Sequence, residues 1–442
     1  MMEIYNPYSI VQVSEVLTEL TLRSGEHTVY KGRAVVDSLL NTGLMAVVSV
    51  AIIDEWSDLD AARGELARVS EEAQRFVSDW DSRFRINRSY QVAISETRAF
   101  LAETSRWADQ ADISSALPRD AQRRLREDVF YDLATPLLTK AREYMDRLEG
   151  EAAEIPATDS IAHRNFAQSA LHPLLLRAPF VYRTFAKPMG YAGDYEMVNQ
   201  ILADPRQGDS TYFQLINTLF LKAAVAEAHR NRITILVEHL QTVARAAERQ
   251  ARTMHVLNVG CGPAVEIQRF IRAHPNPDCL DFTLMDFSKE TLQYTREQIE
   301  GAAGEAGEAG KPVAVHYVHE SVHSLLKRAG SSESESVDAR FDFVYCAGLF
   351  DYLSDKVCAR LLQYFATRTR PGGSIVVSNV HSANPERNSM EHLLEWHLIY
   401  RNEAQLASLL PAPREASRMY TDVTGVNVFA EFSIPSGNGR AG

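Results

Sequence analysis

The sequence is poor in cysteine and has no long apolar run. Its four cysteines form no C-x-x-C pair and no cysteine–histidine cluster with metal-site spacing, which argues against a bound metal and against a disulfide scaffold. The longest apolar run, residues 44–53, is interrupted by Ser49 and is shorter than the roughly 20 residues that span a bilayer. The N-terminus has neither the basic segment nor the apolar core of an export signal. We therefore expect a cytoplasmic protein without a membrane span.

Basic residues are also fewer than acidic residues. The chain has 46 Lys and Arg against 58 Asp and Glu, a net charge of −12, which is the wrong sign for a nucleic-acid or anionic-membrane partner. One predicted helix, around 228–252, is locally rich in arginine, but acidic residues interrupt the run, and this pattern favours a solvated face. The arginines are Arg230, Arg232, Arg245, Arg249 and Arg252. We expect a small-molecule partner and no nucleic acid.

The clearest motif lies at 256–266. The run VLNVGCGPAVE predicts a strand, a glycine turn and a helix start, and FTLMDF at 282–287 predicts a second strand that ends near Asp286. Gly260 and Gly262 allow a sharp turn and a close approach of the backbone to a ligand. Asp286 is placed to accept hydrogen bonds from both hydroxyls of a ribose. The pattern predicts a βαβ unit that binds a nucleoside.

The start of the helix indicates which nucleoside. A dinucleotide fingerprint has a third glycine where this chain has Val265, and Glu266 follows; a carboxylate among helix N-terminal amides would repel a pyrophosphate. S-adenosylmethionine (SAM) has adenosine and a methionine end but no phosphate, so it fits. The pattern is similar to that of class I methyltransferases, with Asn258 replacing the acid and Ala264 the last glycine. A strand–turn–helix with purely structural glycines is the alternative.

The order of the later segments predicts the fold. Strands are predicted at 313–318, 341–347 and 371–380, with helical patterns between them, and 417–422 with 426–434 forms a hairpin signal. Strands that alternate with helices form a parallel sheet, to which a terminal hairpin adds an antiparallel strand. We therefore predict the α/β Rossmann-like sheet of a class I methyltransferase, preceded by a helical region and a small β-rich module.

The chain divides into four predicted regions. Residues 1–60 form a small β-rich module whose outline resembles a degenerate PilZ-like barrel, without the paired arginines that bind a cyclic dinucleotide. A structural or dimerising role is favoured for it, which leaves a homodimer open. Residues 61–155 form a helical region, 161–250 a helical cap, and 251–436 the SAM-dependent methyltransferase domain.

A loop in the helical cap is rich in tyrosine and glycine. The sequence GYAGDY at 190–195 places Tyr191, Asp194 and Tyr195 beside Gly190 and Gly193. Glycines allow close approach, and phenols offer a flat face and a polar tip. We expect this loop to cover a small ligand; a packed turn between two helices is the alternative.

Several stretches, spread over most of the chain, point to one bacterial family. They are residues 29–43, 172–199, 228–233, 258–270, 285–292, 343–358, 395–401 and 424–432. In these stretches the sequence resembles the SAM-dependent methyltransferases known as extracellular-factor, or 3-hydroxypalmitic acid methyl ester, biosynthesis proteins. The resemblance implies carboxyl O-methylation of a 3-hydroxy fatty acid or a similar small acid, which yields a methyl ester used as a quorum-sensing signal.

The fold and the resemblance together predict a cofactor site over the carboxyl ends of the strands. The predicted cofactor-binding residues are Gly260, Cys261, Gly262, Asp286, Phe287, Glu320, Ser321, Cys346, Ala347, Gly348, Tyr191 and Asp194. Because Asn258 cannot neutralise the methionine ammonium, we assign that role to Asp194.

The predicted acceptor site is aromatic and contains two arginines. Its residues are Tyr195, Phe350, Tyr352, Trp396, Tyr400, Arg401 and Arg183. Either arginine is expected to hold the acceptor carboxylate, because a planar guanidinium binds a carboxylate with two parallel hydrogen bonds. A surface ion pair is the alternative role for both.

No catalytic residue is predicted beyond those that position the reactants. A carboxylate with a pKa near 4 is ionised at neutral pH and needs no general base, so His319 and His381 are expected to be structural. Methylation of oxygen or nitrogen in another small molecule is one alternative, and it would require a base. A SAM-binding sensor without turnover is the other. The sequence YCAGL after the fourth strand lacks the Asn/Asp-Pro-Pro-aromatic run of enzymes that methylate nucleic-acid bases.

Overall fold

The computed structural model describes most of the chain. The described residues are 2–4, 16–24, 27–41, 46–54, 73–78, 85–114, 116–274, 279–306, 313–329, 340–411 and 417–435. Within these ranges, no helix is long and apolar enough to cross a membrane. The same ranges contain no group of three or more His, Cys, Asp or Glu side chains that could hold a metal ion.

The N-terminal residues form a small antiparallel sheet. Its strands are β1 (Met2–Ile4), β2 (Val16–Ser24), β3 (His27–Asn41) and β4 (Ala46–Ile52), in the order β1-β4-β3-β2. Leu20, Tyr30 and Ala34 form its small core. β1 and β2 are the two edge strands of the sheet that the described residues form, and the resemblance of residues 1–60 to a degenerate PilZ-like barrel stays a prediction.

A series of helices precedes the large sheet. They are α1 (Arg88–Ile113), α2 (Glu127–Ala153), α3 (Ser160–Leu175), α4 (Pro179–Ala186), α5 (Tyr195–Leu202), α6 (Thr211–Leu221) and α7 (Ala224–Glu248). Their apolar faces meet in one core that includes Ile94, Leu101, Leu171 and Leu175. Trp396, from the C-terminal part of the chain, packs into the same core, so the helical region and the sheet share buried surface.

The large sheet alternates with helices along the chain. Its elements are β5 (Met254–Val259), α8 (Val265–Ala273), β6 (Leu280–Asp286), α9 (Lys289–Ala306), β7 (Ala314–His319), α10 (Val322–Ala329), β8 (Phe341–Ala347), α11 (Asp355–Arg368), β9 (Thr369–Val380), α12 (Arg387–Leu394), α13 (Glu403–Ser408), β10 (Ser417–Thr421) and β11 (Asn427–Ser433). A short 3-10 turn, Phe350–Tyr352, follows β8. The central strand β8 is buried over nearly its whole length, as expected for a strand covered on both faces.

The strand order creates a crevice. The order is β10-β11-β9-β8-β5-β6-β7, with β5 to β9 parallel to one another and β11 antiparallel to β9. This confirms the predicted fold class, including the terminal hairpin. The chain runs from β5 outward through β6 and β7, then crosses back to β8 on the other side. At such a switch point the connections diverge and leave room for a ligand above the carboxyl ends of the strands.

Candidate active site

A cavity of about 1350 Å³, counted with its open mouth, lies at the switch point. The turn after β5, the ends of β6 and β8, and the first half of α7 form its floor and one wall. The loop around Tyr191 and Gly193 and the segment around Trp396 and Leu398 complete it. The cavity therefore joins residues that are distant in the sequence.

The glycine turn after β5 is shaped for close approach. Gly260 and Gly262 have φ angles of +70° and +51°, which glycine adopts at little cost. A Cβ atom on Gly260 would lie 3.2 Å from the Leu349 side chain. The turn is tied to the next strand, because the amides of Gly260 and Cys261 both donate to the Met285 carbonyl, at 2.9 and 3.0 Å.

Asp286 ends β6 inside the cavity. Its Oδ2 accepts from the Gly262 amide at 3.1 Å, and its Oδ1 accepts from the Ser288 amide at 3.0 Å. Burial raises the pKa of Asp286, and these two amides oppose the rise. The carboxylate thus fixes the glycine turn and presents its remaining lone pairs to the cavity.

Asn258, Glu266 and Tyr345 form a buried polar group beneath the glycine turn. Glu266 Oε1 accepts from the Tyr345 hydroxyl at 2.7 Å and from Asn258 Nδ2 at 3.2 Å, and Asn258 Nδ2 also donates to the Tyr345 oxygen at 2.9 Å. Burial raises the pKa of Glu266, and the Tyr345 hydrogen bond opposes the rise. All three residues line the cavity, so a carboxylate lies beside the asparagine that replaces the acid of the motif.

Arg232 is a buried cation on the cavity wall. Only 8% of its surface is exposed, and a Cβ atom on Gly348 would lie 2.9 Å from its Nη1. The hydrogen bonds and ion pairs of the described residues include none made by its guanidinium. Burial lowers the pKa of Arg232, and the carboxylates of Asp351 and Glu266 oppose this. A buried cation is costly when it has no ion-pair partner, and Arg232 has none among the described residues.

The far end of the cavity is formed by Asp351, Tyr352, Trp396 and His229. The Trp396 indole N–H donates to the Tyr352 oxygen at 3.0 Å, which leaves the Tyr352 O–H free to donate. Burial raises the pKa of Asp351 to about 6. Burial, together with the nearby Arg232 charge, lowers the pKa of His229 to about 3. At neutral pH, His229 is therefore uncharged and Asp351 is mostly ionised.

Comparison with known proteins identifies the domain. Residues 256–373 match the family described as methyltransferase domain. The chain is a SAM-dependent methyltransferase. A comparison with curated proteins finds no match.

Solved structures similar to this methyltransferase come from several bacteria. A possible exported protein from Bordetella parapertussis is 15% identical, with a TM-score of 0.41, and the match covers 69% of this chain and 97% of the other. A magnesium protoporphyrin IX methyltransferase from Synechocystis with bound SAM is 11% identical, with a TM-score of 0.32 and coverage of 48% and 82%. The N-methyltransferase NodS from Bradyrhizobium japonicum, with bound S-adenosylhomocysteine, is 14% identical, with a TM-score of 0.31 and coverage of 47% and 88%.

The residues present fit SAM. The glycine turn and the buried Asp286 carboxylate lie together in the cavity, as a ribose site requires, and the Arg232 guanidinium, which has no ion pair among the described residues, lines the same cavity. Most of the predicted cofactor residues do line it: Gly260, Cys261, Gly262, Asp286, Phe287, Glu320, Ala347, Gly348 and Tyr191. Their individual contacts with SAM stay predictions. Glu320 also accepts two hydrogen bonds from Arg328, so its carboxylate is already partly engaged.

The structure corrects the roles predicted for Asp194 and Arg183. The Asp194 carboxylate caps α5 by accepting from the Met197 amide, and it accepts from Arg183 Nε, both at 2.8 Å. Asp194 is fully buried, and neither residue lines the cavity. Each neutralises the other, so Asp194 is not placed to meet the methionine ammonium, nor Arg183 the acceptor carboxylate.

Arg401 is structural as well. It is almost fully buried, and its guanidinium donates to Asp355, to Asn379 Oδ1 and to the carbonyl oxygens of Phe350 and Leu353. These bonds hold the turn after β8 against the end of β9. No donor remains for a substrate carboxylate, so this prediction was wrong.

Other predicted residues lie beside the cavity and not in it. Phe350 and Cys346 are buried in the core behind the wall, and Arg387 covers the ring of Tyr400. Tyr195 stacks on Tyr294 and donates to Glu290. Ser321 accepts from the Ser324 amide at the start of α10. Of the predicted acceptor residues, Tyr352 and Trp396 line the cavity.

The two histidines that the sequence predicts to be structural both contact other parts of the protein. His319 Nε2 contacts the Phe287 carbonyl at 2.9 Å, and His381 Nε2 contacts Glu403 at 3.0 Å. Neither lines the cavity. The sequence analysis missed His229, Arg232, Glu266 and Asp351.

Proposed function

We propose that this methyltransferase methylates the carboxylate oxygen of a 3-hydroxy fatty acid or a similar small acid, which gives a methyl ester signal. The observation that carries this proposal is a second, apolar cavity behind the acceptor end of the first. Its volume is about 540 Å³, and Trp396 lines both cavities. The second cavity is lined largely by apolar side chains, including Met145, Phe180, Leu219 and Phe220. An acyl chain that entered past Trp396 would gain about 0.8 kcal/mol for each buried CH₂ group.

The acceptor carboxylate has a donor at the boundary between the cavities. Tyr352 accepts from Trp396 and has its own proton to donate. Burial raises the pKa of Tyr352, so the phenol stays protonated. A hydrogen bond to a charged acceptor contributes about 1.5–3 kcal/mol, enough to fix the orientation of the carboxyl group.

The chemistry requires little more than placement. Bound SAM supplies a methyl group on a sulfonium; a carboxylate oxygen forms the new O–C bond as the S–C bond breaks, and no proton moves. Met197, Val380, Leu398 and Trp396 contribute apolar side chains to the cavity lining. Positioning of this kind supplies roughly 7–11 kcal/mol of barrier reduction. His229 supports this mechanism, because a buried imidazole with a pKa of about 3 is a poor proton acceptor at neutral pH.

One assay tests the proposal. The purified protein is incubated with SAM and with 3-hydroxy acids of several chain lengths, and in parallel with diols in which the carboxyl group is reduced to an alcohol. We expect alkali-labile methyl esters from the acids and no product from the diols, as measured by mass spectrometry. Methyl ethers from both series would contradict carboxyl methylation.

Asp351 supports a second candidate function, O-methylation of a hydroxyl group. Its carboxylate is buried in the cavity wall and its pKa is raised to about 6, which suits a general base that works near neutral pH. A hydroxyl acceptor beside Asp351 would lose its proton to this carboxylate as the O–C bond forms. Methyl ethers formed in the wild-type protein and lost in Asp351→Asn would favour this candidate.

A further inference from the structure

The cavity contains a carboxylate at a position where the methyltransferase motif does not place one. The motif has its acid on the first strand, where this chain has Asn258. Asn258 cannot neutralise a cation, but its amide donates to Glu266 Oε1, from the first turn of α8. Glu266 is 7% exposed and lines the cavity. The negative charge missing from the strand is therefore supplied from the helix and held in place by Asn258 and Tyr345.

A buried cation faces the same part of the cavity. Arg232 reaches in from α7, and its guanidinium lies over Gly348 at the end of β8. Its largest favourable charge interactions are with Asp351 and then with Glu266, yet it forms no ion pair with either among the described residues. Glu266 and Arg232 thus lie on the wall of one cavity as a carboxyl group and a guanidinium.

The methionine end of SAM carries an ammonium and a carboxylate on a single carbon atom. We propose that Glu266 binds this ammonium and Arg232 binds this carboxylate, so that the two residues hold the amino-acid end of the cofactor from opposite sides. The proposal requires SAM as cofactor but does not depend on which acceptor is methylated. The other acids are less suited: Asp194 is paired with Arg183, and Asp286 holds the glycine turn.

Two other roles compete with this one. In the first, Glu266 is purely structural and serves only to accept the hydrogen bond from Tyr345. In the second, Arg232 belongs to the acceptor site and binds the acceptor's carboxylate. A structural Glu266 would not need to line the cavity. An Arg232 dedicated to the acceptor would leave the methionine carboxylate without a cation among the described cavity residues. Both roles make different predictions for binding.

Three cofactor fragments separate these roles by calorimetry. S-adenosylhomocysteine has both the ammonium and the carboxylate, decarboxylated SAM has the ammonium and a sulfonium but no carboxylate, and 5′-methylthioadenosine has none of these groups. The wild-type protein should bind S-adenosylhomocysteine more tightly than methylthioadenosine. Equal affinities in the wild-type protein would overturn the proposal without any variant.

The variants are Arg232→Met and Glu266→Gln, which preserve approximate size and remove the charge. Arg232→Met should weaken S-adenosylhomocysteine roughly ten- to hundred-fold and leave the other two ligands unchanged. Glu266→Gln should weaken S-adenosylhomocysteine and decarboxylated SAM by a similar factor and leave methylthioadenosine unchanged. Unchanged methylthioadenosine binding shows in each case that the nucleoside site is folded.

Matched controls complete the design. Tyr345→Phe removes a hydrogen bond to Glu266 but keeps the charge, so it should weaken S-adenosylhomocysteine less than Glu266→Gln does. If Arg232→Met fails to fold, Arg232→Lys is the substitute, because it keeps the charge and changes its geometry. Its affinity for S-adenosylhomocysteine should lie between that of the wild-type protein and complete loss of binding. Unchanged S-adenosylhomocysteine affinity in a folded Arg232 variant, with a raised KM for the acceptor, would assign Arg232 to the acceptor and overturn the proposal.

Discussion

Gly193 and Tyr352 are in such close contact that a Cβ atom on the glycine would lie 2.7 Å from the phenol oxygen. Gly193 belongs to the GYAGDY loop, and Tyr352 ends the 3-10 turn after β8. Both line the cavity. This loop therefore rests on the residue that we assign to the acceptor carboxylate.

Gly193→Ala should impair acceptor use more than cofactor binding. The added methyl group must displace either the loop or the Tyr352 hydroxyl, because separations below 3.0 Å are not tolerated. We expect a higher KM for the acceptor and a lower kcat, with S-adenosylhomocysteine affinity changed by less than about threefold. Gly150→Ala is a matched control, since nothing lies within 4 Å of the added atom. An unaltered acceptor KM would separate the loop from the acceptor site.

Tyr191→Ala should reduce turnover without unfolding the protein. The Tyr191 ring lies 5.4 Å from that of Phe287, centroid to centroid, and both line the cavity. Aromatic pairs of this kind contribute about 0.5–1.5 kcal/mol beyond their buried area. Limited proteolysis near residue 190 should also slow when S-adenosylhomocysteine is added, and less so in the variant. If the cleavage rate does not change with the ligand and the variant keeps full activity, the loop is a packed turn between two helices.

Asp286→Ala should weaken every adenosine-containing ligand by about 2 kcal/mol, because the ribose hydroxyls lose a charged acceptor. Unlike the variants of Glu266 and Arg232, it should weaken methylthioadenosine as much as S-adenosylhomocysteine. Asp286→Asn serves as the milder comparison, since an amide oxygen can still accept from the Gly262 amide. Calorimetry that shows full affinity in a folded Asp286→Ala protein would remove this residue from the nucleoside site.

The pH–rate profile distinguishes the two acceptor chemistries. A free acid with a pKa near 4–5 is ionised by pH 6, so the rate for carboxyl methylation should be flat from there through neutral pH. With Asp351 as a general base, the rate should instead rise through about pH 6, where its raised pKa lies, and then reach a plateau. Asp351→Asn keeps an acceptor for the Val380 amide; it should retain most activity in the first case and lose roughly 10²–10⁴-fold in the second. His319→Ala and His381→Ala should keep most activity in both cases.

Trp396→Ala should shift the preferred acid toward longer chains. Trp396 lines both cavities, and we expect its removal to join them. The ratio of kcat/KM for a long acid to that for a short acid should rise. Leu398→Ala is the control, because Leu398 lines the first cavity and not the second. An equal change of the ratio in both variants would argue against the second cavity as the site of the acyl chain.

The sheet could be predicted from the sequence, because each strand is a short apolar run between turn signals. The predicted strand at 341–347 coincides with β8, and the hairpin around Gly425 is present. The glycine turn and Asp286 were also recognisable, since their function depends on backbone conformation and on position relative to a strand.

The charged residues of the site could not be predicted in the same way. Arginines usually lie on the surface, so the sequence pattern places Arg232 with its neighbours on a solvated face, and it indicates Arg401 for the acceptor only because a guanidinium can bind a carboxylate. The helical spacing of His229, Arg232, Ile233, Leu236 and Leu240, all buried, was the one available signal: it places Arg232 on the apolar face of α7. Arg232 faces the cavity, whereas Arg401 donates its hydrogen bonds to carbonyl oxygens and other protein groups. This difference depends on tertiary contacts that a sequence pattern does not contain.

The segment that matches a methyltransferase domain begins at residue 256 and ends at 373, so part of the cavity lining comes from elsewhere in the chain. Arg232, Tyr191 and Trp396 all lie outside that segment. In chimeras that take the residues before 250 and after 380 from a relative, acceptor choice should therefore follow the donor of these residues. Nucleoside binding should stay that of the recipient domain. For protein engineering, we therefore expect the matched domain to provide nucleoside binding and the surrounding chain to contribute to acceptor selectivity.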